Sequence, residues 1–329
     1  MRPPSGLGYL GRKVVSALVG LCGVALAGFF LFRILPGDPA RTVTRGRPVD
    51  AQQLAQLRHR FGTDQPLVVQ FGAYVTRTFR GDLGRSYQYS APVSALIVSH
   101  LAATVYLVGT ATLISACLGS WLGARAAWRR GSLGDRVHSS LALTLWSVPT
   151  FWLGLMLIVV LAVGVGSVPG LFPTGGMRLP GVTGFVPVAL DMLHHLVLPC
   201  ATMVAVGYAQ YLLIVRSCVL EEMSADYVTT ARAKGIPEAT VRWRHVLPNA
   251  LLPAATLILV NFGGVVSGAV VVESVFSWPG LGSLFYEALT VPDLPLLHGL
   301  FVFFAASVIL LNLVADLLYP MLDPRVRRP

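Results

Sequence analysis

The stretch SADYVTTARAKGIPEATVRWRHVLP, residues 224–248, separates two apolar runs that cover residues 196–215 and 250–272. Each flanking run has about the 20 apolar residues that a helix needs to cross the hydrocarbon core of a bilayer. The stretch between them is polar and carries a net positive charge. It therefore predicts a loop in water that joins two membrane-spanning helices.

Four more apolar runs lie outward from this pair, at residues 14–35, 101–124, 141–165 and 297–319. The composition agrees with a membrane protein, because 54% of the residues are hydrophobic and only 12% are charged, whereas soluble domains carry about 25% charged residues. A charge at the centre of a membrane helix costs about 2.5–3.5 kcal/mol on insertion scales, so runs with uncharged interiors are strong signals. We predict an all-α polytopic membrane protein with six transmembrane helices.

The lysines and arginines of the short loops predict the orientation, since cytoplasmic loops are enriched in them. With the N-terminus inside, the basic residues of the cytoplasmic segments are Arg2, Arg12, Lys13, Arg125, Arg129, Arg130, Arg136, Arg216, Arg232, Lys234, Arg242, Arg244, Arg325, Arg327 and Arg328. The two short outer loops hold only Arg178. Segment 36–98 is rich in arginine, but long loops cross the membrane largely regardless of charge. The prediction is N-in and C-in, and the net charge of +10 reflects this topology rather than a nucleic-acid partner.

The predicted chain has three parts. Residues 1–35 form the N-terminal tail and the first helix, residues 36–98 form an extracytoplasmic domain, and residues 99–329 form a five-helix core that contains the cytoplasmic loop 218–249. Capping and stop signals predict two helices in the outer domain, at 50–61 and 66–79.

The loop itself predicts a short helix, a break and a second helix. Ser224 can cap the first helix, and Asp226 then lies in its positive first turn. Gly235 suits a left-handed C-terminal stop. Pro237 suits the first turn of the next helix, where its missing N–H costs nothing.

The loop resembles the cytoplasmic loop of ABC-importer permeases, which reads Glu-Ala-Ala, three residues, Gly, nine residues, Ile-x-Leu-Pro. With Gly235 on the glycine of this pattern, Ala231, Leu247 and Pro248 match in register, while Thr229 and His245 replace the Glu and the Ile. Further segments that are similar to the same family are LPGDPA (35–40), FGTDQPL (61–67), RGDLGRS (80–86), DYVTTARAKG (226–235), ESVFSWPGLG (273–282) and LDPR (322–325). Nearly the whole chain thus resembles the dipeptide/oligopeptide (and nickel) importer permeases, in their B-type, first permease subunit.

The resemblance implies a type I ABC permease fold in the bacterial cytoplasmic membrane. It also implies that a second permease subunit, two cytoplasmic ATPases and an extracytoplasmic substrate-binding protein act as partners. ATP and Mg would then be bound by the ATPases, with no cofactor or catalytic residue in this chain. A phosphate-binding loop would need a Gly-Lys pair, and the sequence has none. The cargo stays open between dipeptides, longer peptides, nickel chelates and haem.

By the same resemblance, segment 224–237 is the part that couples to an ATPase. The candidate coupling residues are Asp226, Tyr227, Thr229, Thr230, Ala231, Ala233, Lys234, Gly235, Leu247 and Pro248. We expect bulky substitutions of Ala231 or Gly235 to uncouple ATP hydrolysis from uptake.

Residues of the fifth predicted span are candidates for the translocation pathway or for helix packing, namely Gly264, Ser267, Gly268 and Glu273. Small residues at a four-residue spacing allow helices to approach closely. Glu273 is an ionisable group at the membrane boundary, where function is the default hypothesis, but anchoring the turn at 274–282 is the favoured interpretation.

Three other interpretations were weighed. A secondary transporter would often show an inverted repeat, and no clear repeat is found. An intramembrane protease would need Gly-x-Ser-x-Gly, His-Glu-x-x-His or paired aspartates, whereas Asp316 is the only aspartate within a predicted span. His194 and His195 could ligate nickel, but two adjacent histidines without further ligands are more often interfacial, so no metal site is predicted.

Overall fold

The structure is a computed structural model that describes residues 6–34, 50, 52, 65–252, 255, 258 and 269–322. In these ranges the chain is mostly helical. The helices are α1 (Gly6–Ile34), α2 (Leu67–Phe79), α3 (Val93–Trp128), α4 (Leu133–Ser147), α5 (Thr150–Leu157), α6 (Phe185–Met223), α7 (Asp226–Ala233), α8 (Glu238–Thr240), α9 (Leu247–Ala250), α10 (Val270–Val275), α11 (Leu281–Thr290) and α12 (Leu294–Leu322). Single π-helical segments follow α5 (Ile158–Val163) and α8 (Val241–Val246), and a two-stranded antiparallel hairpin pairs β1 (Gly164–Val165) with β2 (Val168–Pro169).

Helices α3 and α6 form the centre of the structure. They contain 36 and 39 residues, so each is about 55 Å long at 1.5 Å per residue and extends beyond a ~30 Å hydrocarbon core. A Cβ atom on Gly119 would lie 2.5 Å from the carbonyl oxygen of Tyr208, and one on Gly123 would lie 2.5 Å from that of Leu212. The residue numbers of the two contacts rise together, so α3 and α6 run parallel at backbone contact distance.

Helices α1 and α12 pack against each other in opposite directions. Lys13 near the start of α1 forms an ion pair of 2.8 Å with Asp316 near the end of α12. At the other end of the pair, Gly28 lies against His298. The start of α1 and the end of α12 are therefore at the same end of the structure.

The prediction that residues 141–165 form a single helix as the third span is wrong. Helix α4 begins earlier, at Leu133, and it bends by 100° where it meets the helix at Thr150–Val163. The break is at Val148 and Pro149, whose extended ψ angles of 130° and 126° cannot continue a helix. A proline disfavours the helical conformation of the residue before it, which explains the extended Val148.

Four helices of the described residues are long and apolar enough to cross a membrane, and the bent pair can form a fifth span. The four are Gly11–Leu31, Val93–Trp128, Phe185–Met223 and Leu294–Leu317. Most of the fifth predicted span, and with it Gly264, Ser267 and Gly268, lies outside the described residues. The predicted outer helix 50–61 lies largely outside them as well, whereas the one predicted at 66–79 is present as α2.

Residues 80–92 connect α2 to α3 and pack onto the start of α12. The buried carboxylate of Asp293 accepts hydrogen bonds from Ser86 Oγ at 2.6 Å and from the backbone N–H of Gln88 at 2.9 Å. It also caps α12, because it accepts from the N–H of Leu296 at 3.2 Å. This end of the structure is thus tied together by a buried polar group.

Candidate coupling site

Helix α7 lies across the end of α3 and α6 and has one buried face. Val228 is fully buried and Ala231 is 7% exposed, and their spacing of three residues places them on the same side of the helix. The apolar cluster that they join consists of Ala124, Ala127, Val215, Val219, Val228, Ala231, Val241, Val246 and Ala250. Apolar packing against this chain's own long helices therefore fixes the position of α7.

Helix α7 ends as the sequence predicts and begins one residue later than predicted. Gly235 has a φ of +75°, and its N–H donates to the carbonyl of Arg232 at 2.9 Å while that of Ile236 donates to Ala231 at 3.3 Å. This pair of bonds is the Schellman motif, which closes a helix with a left-handed glycine. The N-cap is Ala225, without a side-chain bond, so the predicted cap by Ser224 is wrong. Ser224 Oγ donates instead to the carbonyl of Glu221.

The other face of α7 is exposed to solvent. Its exposed residues are Asp226, Tyr227, Thr229, Thr230, Arg232 and Ala233, and Lys234 and Gly235 after the helix end are exposed too. The side chains of Thr229, Thr230 and Ala233 are short, so this part of the exposed face is shallow, whereas Arg232 and Lys234 are long and charged. Ala231 is the one predicted coupling residue of the helix that points away from this face.

Tyr227 connects α7 to the segment that leads into the next span. Its hydroxyl accepts a hydrogen bond of 2.9 Å from Asn249 Nδ2 and lies 3.2 Å from the carbonyl oxygen of His245. The same hydroxyl is bonded to the Glu222 carboxylate at the end of α6. Tyr227 therefore ties α7 to the end of α6 and to the start of α9.

The second half of the loop contains a π-helical segment between α8 and α9. Val241 and Val246 at its two ends are fully buried in the apolar cluster, while Leu247 is half-buried and Pro248 is exposed at the start of α9. On the surface, the Glu238 carboxylate forms ion pairs with Arg232 at 3.1 Å and with Arg242 at 3.4 Å. The hydrogen bond from Arg232 lowers the pKa of the Glu238 carboxyl. All three side chains are about 40% exposed, so these ion pairs contribute little, about 0–1 kcal/mol each.

An ion pair that the sequence analysis missed holds α4 to the end of α6. The Asp135 carboxylate accepts two hydrogen bonds from Arg216, one from Nε at 2.7 Å and one from Nη2 at 3.0 Å. The aspartate side chain is only 5% exposed, and such two-pronged arginine–carboxylate pairs are the strong ones. Ser132 caps α4 by accepting from the Asp135 N–H at 3.2 Å. The Ser-x-x-Asp spacing was a visible helix-start signal, but nothing local pointed to Arg216.

Gly119 and Gly123 were also missed, although their four-residue spacing is the signal for close helix approach. The prediction of close helix approach named only Gly264, Ser267 and Gly268 in the fifth predicted span. In the structure the close approach occurs at α3, where Gly119 and Gly123 allow contact with the backbone of α6.

Glu273 lies at the opposite end of the structure from the loop and is fully buried. Its carboxylate accepts hydrogen bonds from the N–H groups of Gly282 at 2.7 Å and Ser283 at 3.0 Å and from Thr104 Oγ1 at 2.9 Å. A Cβ atom on Gly280 would overlap this carboxylate. These contacts tie Glu273 to the turn at 274–282 and to α3.

His194 and His195 bond to backbone carbonyls, those of Leu171 at 3.0 Å and Asp191 at 2.8 Å respectively. In the part of the chain that the structure describes, no group of three or more His, Cys, Asp or Glu side chains is arranged to hold a metal ion.

The family can be assigned from sequence similarity along the whole chain. Residues 115–328 match the family "Binding-protein-dependent transport system inner membrane component", and residues 7–108 match the N-terminal family of such membrane components. The glutathione transport system permease protein GsiC of Salmonella typhi is 36% identical over 321 residues, which cover 98% of this chain and 99% of the relative. The di/tripeptide permease DppB of Pseudomonas aeruginosa is 35% identical over 335 residues, with the same two coverages. The dipeptide permease DppB of Alkalihalophilus pseudofirmus is 31% identical over 332 residues, again with 98% and 99% covered. The chain therefore belongs to the family of inner-membrane components of binding-protein-dependent transport systems.

Proposed function

We propose that this chain is a permease subunit of an ABC importer for di- and oligopeptides, and that α7 couples it to an ATPase. The carrying observation is the division of α7 into two faces. Val228 and Ala231 fix the helix to α3 and α6, while the side that contains Thr229, Thr230 and Ala233 is exposed. A helix that is fixed on one side and free on the other can receive a push from a partner and pass it to the membrane helices.

Six membrane crossings with both termini inside are part of this proposal. Helix α1 runs opposite to α12, as the Lys13–Asp316 pair requires, while α3 and α6 run parallel. The bent pair α4–α5 connects the end of α3 back toward the start of α6. The apolar run at 250–272 then supplies the return from the loop to α10. The basic loop residues support placing the end that carries α7 in the cytoplasm.

The peptide class of the cargo follows from the relatives. Their names refer to glutathione, di/tripeptides and dipeptides, which are all short peptides. The three are similar to this chain to nearly the same degree, 31–36%, so the proposal extends to the class and not to one peptide. In such a system a binding protein delivers the cargo, a second permease completes the pathway, and two ATPases bind ATP and Mg.

The test is a substitution on the exposed face of α7 in the transporter assembled with its partners. Ala233→Trp should lower peptide uptake at least about tenfold and separate it from ATP hydrolysis, because the added ring blocks a shallow contact face; such a loss corresponds to only ~1.4 kcal/mol. The matched control is Ala239→Trp, which places the same ring on an exposed position outside segment 224–237. Equal uptake by the two variants, at equal membrane levels, would contradict the coupling role.

A substitution at a buried position of α7 distinguishes an effect on coupling from an effect on folding. Ala231→Trp is expected to lower the stability of the isolated subunit, because the ring cannot fit the apolar cluster. Ala233→Trp should leave that stability unchanged. Because Ala231 is buried in the apolar cluster, a bulky residue at this position is expected to disturb packing, so Ala233→Trp is the more direct test of the ATPase contact.

A further inference from the structure

A cleft lies beside the coupling loop, between the last turns of α3 and the π-helical segment of the loop. Its volume is about 350 Å³, which falls within the range of about 300–1,000 Å³ that is usual for small-molecule sites. The lining residues are Ser120, Trp121, Ala124, Arg125, Trp128, Arg129, Arg242, Trp243, Leu247 and Leu251. The lining combines arginine and tryptophan side chains with aliphatic ones.

The cleft is strongly cationic. Arg125, Arg129 and Arg242 line it, and none of the lining residues is acidic. Within the described ranges Arg125 and Arg129 form no ion pair with a carboxylate, while Arg242 shares Glu238 at 3.4 Å with Arg232. At Arg125 and Arg129 the cleft can therefore accept an anionic group without displacing an internal partner.

Tryptophan rings shape the cleft and orient two of the arginines. The Arg125 guanidinium lies 5.9 Å from the centre of the Trp121 ring, and that of Arg242 lies 6.0 Å from the Trp128 ring. Trp128 and Trp243 are in edge contact, with centroids 5.4 Å apart. Trp and Arg at the end of a membrane helix are typical of the level of the lipid headgroups.

A further observation comes from Trp128, whose indole Nε1 is buried and has no hydrogen-bond partner among the described residues. A buried N–H without an acceptor is costly, so a ligand in the cleft that brings an acceptor within reach of Trp128 Nε1 would be stabilised. Phosphate oxygens are acceptors that both an indole N–H and an arginine can bind.

We propose that this cleft binds the phosphate headgroup of an anionic membrane lipid. The arginines pair with the phosphate, Trp128 donates to one of its oxygens, and the acyl chains leave along Ala124, Leu247 and Leu251. Because the cleft joins α3 to the loop segment that follows α7, the bound lipid stabilises the packing of the loop against the long helix.

The test measures lipid binding to the full-length chain after delipidation in detergent, by native mass spectrometry with phosphatidylglycerol and phosphatidylcholine. Phosphatidylglycerol should bind more tightly. The double variant Arg125→Gln/Arg129→Gln should lose this preference, by about fivefold for each arginine that is removed. Trp128→Phe keeps the aromatic ring but removes the donor, and it should weaken phosphatidylglycerol severalfold.

The matched control is Arg130→Gln/Arg136→Gln, which removes the same charge from exposed residues at the same end of the structure. It should keep the preference within about twofold. Thermal unfolding of each variant without lipid shows whether the protein remains folded. If the double arginine variant does not fold, the lipid preference of Trp128→Phe tests the proposal instead.

Three results would overturn the proposal. The first is equal binding of the two lipids by the unchanged chain. The second is an unchanged preference in both cleft variants. The third is displacement of phosphatidylglycerol by millimolar inorganic phosphate or by the assembled partner subunits, which would assign the cleft to a soluble anion or to a protein contact.

Discussion

At the end where α3 and α12 begin, buried carboxylates add directional hydrogen bonds to an apolar cluster around Leu281 and Leu296, whereas at the end where α3 and α6 finish α7 is held by apolar side chains. At the first end, Glu273 and Asp293 each accept three hydrogen bonds from distant segments or from the helix that they cap. At the second end, the cluster around Val228 and Ala231 supplies the contact, and most polar groups of α7 remain exposed.

The difference has a physical meaning. A hydrogen-bonded buried carboxylate is directional and costly to disturb, because each donor that it loses is left unpaired in a dry site. Apolar packing is non-directional, so it can hold a helix while its other face binds a partner. The first end therefore has a fixed geometry, while the second end leaves one face of α7 exposed, as the proposed coupling requires.

The strongest test of this contrast is Glu273→Ala. The substitution leaves the N–H groups of Gly282 and Ser283 and the hydroxyl of Thr104 without their acceptor, so we expect a loss of about 3 kcal/mol in the free energy of unfolding. Titration with a denaturing detergent measures it in the purified subunit. Glu287→Ala, at an exposed carboxylate of the same end, should cost less than about 1 kcal/mol; similar losses for the two would refute the directional role of Glu273.

Asp135→Asn tests whether the ion pair between Asp135 and Arg216 stabilises the second end. The bidentate pair with Arg216 is shielded on the aspartate side, so its loss should cost about 2 kcal/mol. The comparison variant is Glu238→Gln in the exposed pairs of the loop, for which the same unfolding titration should show about 0.5 kcal/mol or less. If Glu238→Gln cost as much as Asp135→Asn, burial would not be what distinguishes the two pairs.

The smallest effect is expected for Tyr227→Phe. The residue is 39% exposed, and removing the bonds of its hydroxyl to Asn249, His245 and Glu222 should cost about 1 kcal/mol. Unfolding of the subunit gives the stability, and uptake by the assembled transporter gives the effect on coupling. Tyr286→Phe, at an exposed tyrosine of the other end, serves as the reference and should change neither quantity.

Much of the coupling segment could be predicted from local signals. Its polarity between two apolar runs, the left-handed stop at Gly235 and the register with Pro248 all depend on residues that are close in sequence. The cap at Ser224 was wrong because a serine hydroxyl has several local acceptors, and here it bonds to Glu221. The single helix at 141–165 was wrong because hydropathy averages over a window and does not respond to one proline at position 149.

The sequence by itself indicated a helical membrane protein and its family, and it predicts that the loop at 224–248 lies in water. Hydrophobicity, loop charge and glycine conformation are properties of single residues or short segments, so they can be read without coordinates. Only the tertiary structure decided that Ala231 is buried while Ala233 is exposed, that Asp135 pairs with Arg216, and that Glu273 bonds to Thr104. These contacts join residues up to 169 positions apart, and their geometry depends on how whole helices pack rather than on any pattern along the chain.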